Sequence, residues 1–485
     1  MMNRSAHWRP RLLVLCACLC LLAGCAPTPT KSDRGHADWS RGLLVGQAGI
    51  SDSIGATFQG DMLYAAWATD DPEADAMGLR FAAIDSAATV LLSQDLDLPT
   101  DLPSQVRLNA GQQGHLHLTW LGTAQNTRLL FYARLSPDGA LDTEARPLSL
   151  ATERAAGYAA LPTDDGGLRL FWYSDDGVAT GIYHLQLDAW GQTVGENRLL
   201  RPGGTMVSVA STAGGYHMAW YEEPEFIQIR LHYATYESES GILSEAAQLT
   251  EFPSPTGVLA RRPAVAEADS LVYIFWSVER RGGGLTPPSA ATYYLTFPVG
   301  RPDLATDPAP VNIPSEGRPI YDSADSVYHL QELAVPSASV FPARFVYLPS
   351  LAVFRDELAV AFSVETASRT KETVQPVVTL WSDGRLRGYQ IASKTTNSSL
   401  KPSLLNKGDG DLYLLWIDTA GFGSYDVYYA STADAAQSKL NRITSHDIAA
   451  AVFDLLWAVV QALSSSPLAS PGALCPSPSS PSTCL

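Results

Sequence analysis

Between positions 26 and 474 the chain has no cysteine, which excludes a disulfide-stapled fold and any thiolate metal centre over that stretch. Its six cysteines lie at the ends: Cys16, Cys18, Cys20 and Cys25 at the first, Cys475 and Cys484 at the second. The last two either close a short loop or stand as free thiols. Basic residues are scarce, 33 Lys and Arg against 50 Asp and Glu. Such a surface repels nucleic acid and anionic head groups, so a nucleic-acid partner is not expected. Apolar runs are short. The run over 12–24 covers 13 residues, and a helical bilayer span needs about 20. Also absent are HExxH, GxSxG, a P-loop and a dinucleotide fingerprint, and with them the enzyme classes those motifs carry.

What is present begins with an export signal. Arg4, Arg9 and Arg11, with no acid among them, precede the apolar run, which is the layout of a secretory leader. It ends in Leu22-Ala23-Gly24-Cys25, which resembles the lipobox of bacterial lipoproteins. The resemblance implies cleavage before Cys25 and a diacylglycerol on its thiol. The chain would then be held by lipid on the outer face of a bacterial membrane, at the cell surface or in the periplasm. An ordinary cleaved leader is the alternative. Removing the leader takes three Arg and no acid, so 30 basic residues face 50 acidic ones, a net charge of −20. Residues 26–41, opening Ala-Pro-Thr-Pro-Thr, read as a flexible tether.

The rest of the chain repeats itself. A short apolar strand ending in an aromatic residue recurs as Met62-Leu-Tyr-Ala-Ala-Trp67, then at Trp120, Trp172, Trp220 and Trp276, as Glu357-Leu-Ala-Val-Ala-Phe362, and at Trp416. The intervals are 53, 52, 48, 56, 86 and 54 residues, and the long one holds a Pro-rich insert at about 298–350. One slot filled this often is a packing position. A strand with aromatic pairs follows each copy, as at Phe131-Tyr132 and Tyr428-Tyr429. Turns such as Ser136-Pro-Asp-Gly139 then lead to a further strand. With the strand that precedes the motif, each unit has four. Four-stranded units of 40–50 residues are the signature of propeller blades. The expected fold is all-β, a β-propeller over 42–444 with seven four-stranded blades, six or eight being the alternatives.

The strand ending in Trp, the Tyr-Tyr-Ala strand and the Ser-x-Asp-Gly turn together resemble the repeats of sialidase-type (BNR or Asp-box) propellers. That resemblance implies an exo-glycosidase chemistry in which arginines clamp a substrate carboxylate, a tyrosine backed by Glu is the nucleophile, and an Asp is the acid/base. Arg262-Pro263 matches a fragment of the family's Arg-Ile-Pro motif.

Acids follow the aromatic slot in six of the seven copies: Asp70 and Asp71, Asp175 and Asp176, Glu222 and Glu223, Glu279, Glu365, and Asp418. If the aromatic strand is second in each blade, these loops share one face with the inter-blade connections. The acids then form a candidate face for a divalent cation such as Ca2+, a cationic ligand or the hydroxyls of a glycan, although no cofactor is required by the pattern. The alternative is that they cap strand ends and solubilise loops. His117 and His217 occupy a slot held elsewhere by Tyr64, Arg169, Tyr273 and Tyr413, so they read as amphipathic filler, not metal ligands.

From Asp447 the pattern changes. Asp447, Asp454 and Gln461 recur every seven residues in an apolar stretch, and Ser445 can cap it, so a short amphipathic helix is expected over 445–463. The Ser/Pro-rich tail, 464–485, is expected to be disordered. The leading functional reading is a lipid-anchored, extracytoplasmic binding or interaction module with a glycan or protein ligand. The alternatives are a sialidase-like glycoside hydrolase and a scaffold subunit of an envelope complex.

Overall fold

The structure, a computed structural model, describes residues 31–49, 52–71, 76–98, 101–176, 179–225, 228–254, 258–280, 289–311, 349–367, 372–395, 397–421, 423–443 and 448. The leader with Cys25, most of the Pro-rich insert and the expected helix over 445–463 apart from Ile448 lie outside them. The described residues up to Leu440 form one compact unit.

Seven antiparallel sheets make a β-propeller of seven four-stranded blades. The first six span 55–96, 101–147, 155–202, 205–253, 258–310 and 350–391. Blade seven takes three strands from 399–431 and its outermost strand, Leu43–Ala48, from the other end of the chain. The inner strand of each blade packs on the inner strand of the next, and that of blade seven returns to that of blade one. The ring is therefore closed by backbone hydrogen bonds between the first and last segments, which leaves no frayed blade edge at the seam.

The repeated aromatic explains why the blades stack. Among the described residues there are seven apolar cores, one per blade interface, and each holds one copy: Trp67, Trp120, Trp172, Trp220, Trp276, Phe362 and Trp416. All are at most 2% exposed. The side chain leaves the second strand towards the preceding blade, so each indole closes one interface. In five blades it stacks on the residue directly opposite in the third strand, as Trp172 does on Tyr183 with ring centres 5.6 Å apart. The same holds for Trp120–Phe131, Trp220–His232, Trp276–Tyr293 and Trp416–Tyr428. Burying one indole is worth roughly 4–6 kcal/mol of gross transfer free energy, at about 25 cal/mol per Å2 over 150–250 Å2.

Of the tether expected over 26–41, residues 31–41 are packed against the propeller. Trp39 is fully buried between blades six and seven and donates from Nε1 to Gln390 Oε1 at 2.7 Å. Asp33–Arg34 pairs with Ser393–Lys394. After blade seven comes a short helix, Asp434–Leu440, whose Ala436 and Leu440 enter the core between blades seven and one.

His117 and His217 are fully buried. His117 contacts Tyr132 Oη at 2.8 Å and the Gly166 carbonyl at 3.0 Å. His217 contacts Tyr233 Oη at 2.7 Å and Glu267 at 2.8 Å. Each bolts its blade to the next.

Candidate functional site

The inner strands surround an axial cavity of about 830 Å3 to which all seven blades contribute. The side chains at its mouth follow from strand register. Arg107, Ser208, Ala264 and Ser403 pair with Thr119, Ala219, Phe275 and Leu415, each one residue before the aromatic of its motif. Two positions earlier stand Gln105, Met206, Arg262 and Lys401, so these four are equivalent and form part of one ring. Gln105, Met206 and Lys401 have φ of +51°, +52° and +50°, at bulges that break the inner-strand register. Left-handed backbone at a non-glycine residue costs on the order of 1 kcal/mol, and bulges re-aim side chains. In blade five Pro263 cannot donate to a ladder, and the inner strand is split there into Val258–Ala260 and Ala264–Ala268. The split leaves Arg262 at the cavity rim.

The next ring inward is small, with Gly55, Ala159, Ser208, Ala264, Ser350 and Ser403 at the matching positions and one exception, Arg107. Arg107 and Arg262 therefore share the mouth. Arg262 donates from Nη1 to the Tyr158 carbonyl at 2.7 Å. Burial, and then the charge of Arg107, pushes its pKa down to about 10, so it is still a cation at neutral pH. Among the described residues Arg107 makes no side-chain hydrogen bond or ion pair, and Arg262 has no carboxylate partner within ion-pair range. Asp52 is already engaged: it accepts from the Gln105 amide at 2.6 Å and lies 3.6 Å from Lys401 Nζ.

Two tyrosines flank the pair. Tyr158 donates to the Gln105 carbonyl at 2.7 Å. Tyr173 lies across Gly157, where a Cβ would come within 2.6 Å of its ring, so the bare backbone is what lets the ring approach the mouth. Burial raises the Tyr173 phenol above its ordinary range, against the opposing charge of Arg262.

The acids after the aromatic slot all sit on the face into which this mouth opens, because the inner strand starts there and the antiparallel second strand returns to it. Their side chains are not gathered. Glu222 accepts from Arg201 Nε at 2.6 Å and from Trp220 Nε1 at 3.0 Å. Glu279 forms a two-point pair with Arg261 at 2.9 and 2.7 Å. Asp418 is buried, accepts from Thr395 and Ser399 at 3.2 and 3.3 Å, and faces Asp426 on the neighbouring strand. Asp70, Asp175, Asp176 and Glu223 are exposed, and Asp175 is close enough to Tyr173 to act on its charge. The Glu365 side chain lies outside the described residues. Among the described residues no group of three His, Cys, Asp or Glu side chains could hold a metal ion. No described helix is long and apolar enough to cross a membrane.

Sequence reasoning passed over Arg107. Its signal was available once the repeats are aligned on their aromatic residues, since every matching position is small.

No protein-family model matches the chain, and no curated protein matches it in sequence. Similar solved structures include polysaccharide lyase Uly1, at 8% identity, covering 78% of this chain and 89% of that one with a TM-score of 0.48. An exo-β-1,3-galactanase from Clostridium thermocellum is 10% identical, covering 78% and 93% with a TM-score of 0.36. The GH43_1 enzyme from Xanthomonas citri complexed with xylotriose is 14% identical, covering 52% and 90% with a TM-score of 0.32. Likenesses this remote carry nothing about substrate or mechanism.

Proposed function

We propose that this chain is a lipid-anchored, extracytoplasmic β-propeller that recognises a carboxylate-bearing glycan at the axial mouth. The observation that carries this reading is the Arg107–Arg262 pair. Two guanidiniums without a carboxylate partner face a common cavity in a protein with an excess of acids. Burial, and then repulsion from Arg107, lowers the pKa of Arg262, so the apo pair is unfavourable, and an anion between them relieves it. Guanidinium forks match carboxylate geometry at two points, and the partly exposed Tyr173 ring beside Arg262 suits a sugar.

The sialidase-like alternative keeps one specific observation, the nearness of Tyr173 to both Arg262 and Asp175. Against it, a Tyr nucleophile needs its proton drawn off, whereas burial holds the Tyr173 phenol protonated. Recognition without turnover is therefore the preferred reading.

The test is a panel of immobilised oligosaccharides, uronate-bearing, sialylated and neutral, probed with the mature chain and followed for cleavage products. Retention on the carboxylated members alone, with no product released, supports the proposal; equal retention on neutral members removes it. Product release from a sialylated or uronate member would replace it with the enzyme reading. Anchoring is tested separately, since Cys25→Ser should abolish incorporation of labelled fatty acid.

A further inference from the structure

Nine tryptophans lie among the described residues, and eight of them are at most 2% exposed; Trp190 is 49% exposed. It sits in the turn between the third and fourth strands of blade three, Gly181–Leu187 and Thr193–Pro202, on the face opposite the cationic mouth. The turn does not ask for it. Gly191 donates to the Asp188 carbonyl and Asp188 to that of Gln192, the same pattern by which Gly139 and Ser136 bond in blade two. Trp190 thus occupies the position of Asp138, where a small polar residue serves.

The turn is held rigidly. Gly191 has φ +79°, and a Cβ there would run into the Tyr132 hydroxyl, so glycine alone fits. Arg146 donates to the Gly191 carbonyl at 2.5 Å, and Arg134 to the Trp190 carbonyl at 3.1 Å. The Arg134 guanidinium also lies over the Trp190 ring, 5.4 Å from its centre, and covers one side of the indole. About half of the side chain stays exposed. Beside it stand His115, 6.3 Å between ring centres, and Asp142, which holds His115 Nδ1 at 2.5 Å. His115 Nε2 and Trp190 Nε1 have no partner among the described residues.

We infer that Trp190, His115 and Asp142 form a second carbohydrate site, which takes one pyranose ring of a neutral glycan. A preorganised indole face meets the apolar C–H face of a sugar, and an imidazole, a carboxylate and an indole N–H around it meet the hydroxyls. A protein partner fits less well. The platform is one ring wide and its surroundings are charged, whereas protein interfaces bury about 800 Å2 a side around a core depleted of charge.

The site is read by affinity electrophoresis of the mature chain in gels containing soluble β-glucan, uronate-free arabinoxylan or galactomannan. Retardation is expected in at least one gel. Trp190→Ala should weaken it about tenfold, Trp190→Phe should restore most of it, and Arg107→Ala should leave it unchanged. Retardation that persists in Trp190→Ala, or its absence in all three gels, overturns the inference. So does a loss of self-association in Trp190→Ala, measured by sedimentation. None of these outcomes bears on carboxylate binding at the axis, which is read with Arg107→Ala.

Discussion

Arg262, at the break in the inner strand of blade five, donates to the backbone carbonyl of Tyr158 in blade three, 104 positions away and past the whole of blade four. It therefore serves structure and charge at once, whereas Arg107 beside it serves charge alone. Arg262→Ala should destabilise the fold by about 1–3 kcal/mol, the loss of a part-buried hydrogen bond from a charged donor. Arg107→Ala removes a repelling neighbour and should leave stability within about 0.5 kcal/mol or raise it, as residues kept for binding often do. Urea midpoints of the two variants decide this; equal losses would contradict the division of roles.

The indole slot gives a second contrast. Trp120→Ala or Trp172→Ala opens a cavity at a blade interface and should cost about 3–5 kcal/mol. Trp190→Ala should cost less than about 0.5 kcal/mol, since it is half exposed. Denaturant titration with an unchanged slope is the check.

Ring closure depends on the chain's two ends. A chain shortened to begin at residue 50 loses the outer strand of blade seven, Leu43–Ala48, and the buried Trp39. The uncovered edge of Ser424–Ser431 then offers free backbone groups for aggregation. Light scattering should rise and cooperative unfolding be lost. The milder Trp39→Ala should keep the ring but lower its stability by about 3–5 kcal/mol.

Asp418 makes stability depend on pH. Burial, with a smaller contribution from Asp426, raises its carboxyl from the ordinary range to about 7, although Thr395 and Ser399 oppose the shift. A raised acid favours the folded state while protonated. That stability is present in full below the unfolded value near 4 and is lost as pH rises through 7. At about 1.36 kcal/mol per unit the full difference is roughly 4 kcal/mol. Urea midpoints should fall between about pH 4 and 7, and Asp418→Asn should flatten that fall. An unchanged slope in the variant would contradict the assignment.

Blade architecture was legible because burial between stacked sheets demands one residue type at one register, and Trp67 through Trp416 met that demand seven times. The topology also follows from the repeat, including the shared face of the loops bearing Asp70, Glu222 and Asp418. Where those carboxylates go was not legible. Glu222 and Glu279 turn to the nearest arginine, and Asp418 turns inward to hydroxyls. The buried Trp39 and the helix Asp434–Leu440 lie outside the repeat, and seven residues are too few for a helical period to show. The pairing of Arg107 with Arg262 exists only because the ring closes, so no local pattern marks it.

The central claim is that these two arginines hold a carboxylate. Isothermal titration of the mature chain with a galacturonate trisaccharide, a glucuronate disaccharide and sialyllactose measures it directly, in wild type and in Arg107→Ala. The account predicts saturable one-to-one heat from at least one of the three, weakened about tenfold or more in the variant, as loss of a charge-assisted contact requires. No heat from any of them, or equal affinity in both proteins, would contradict it.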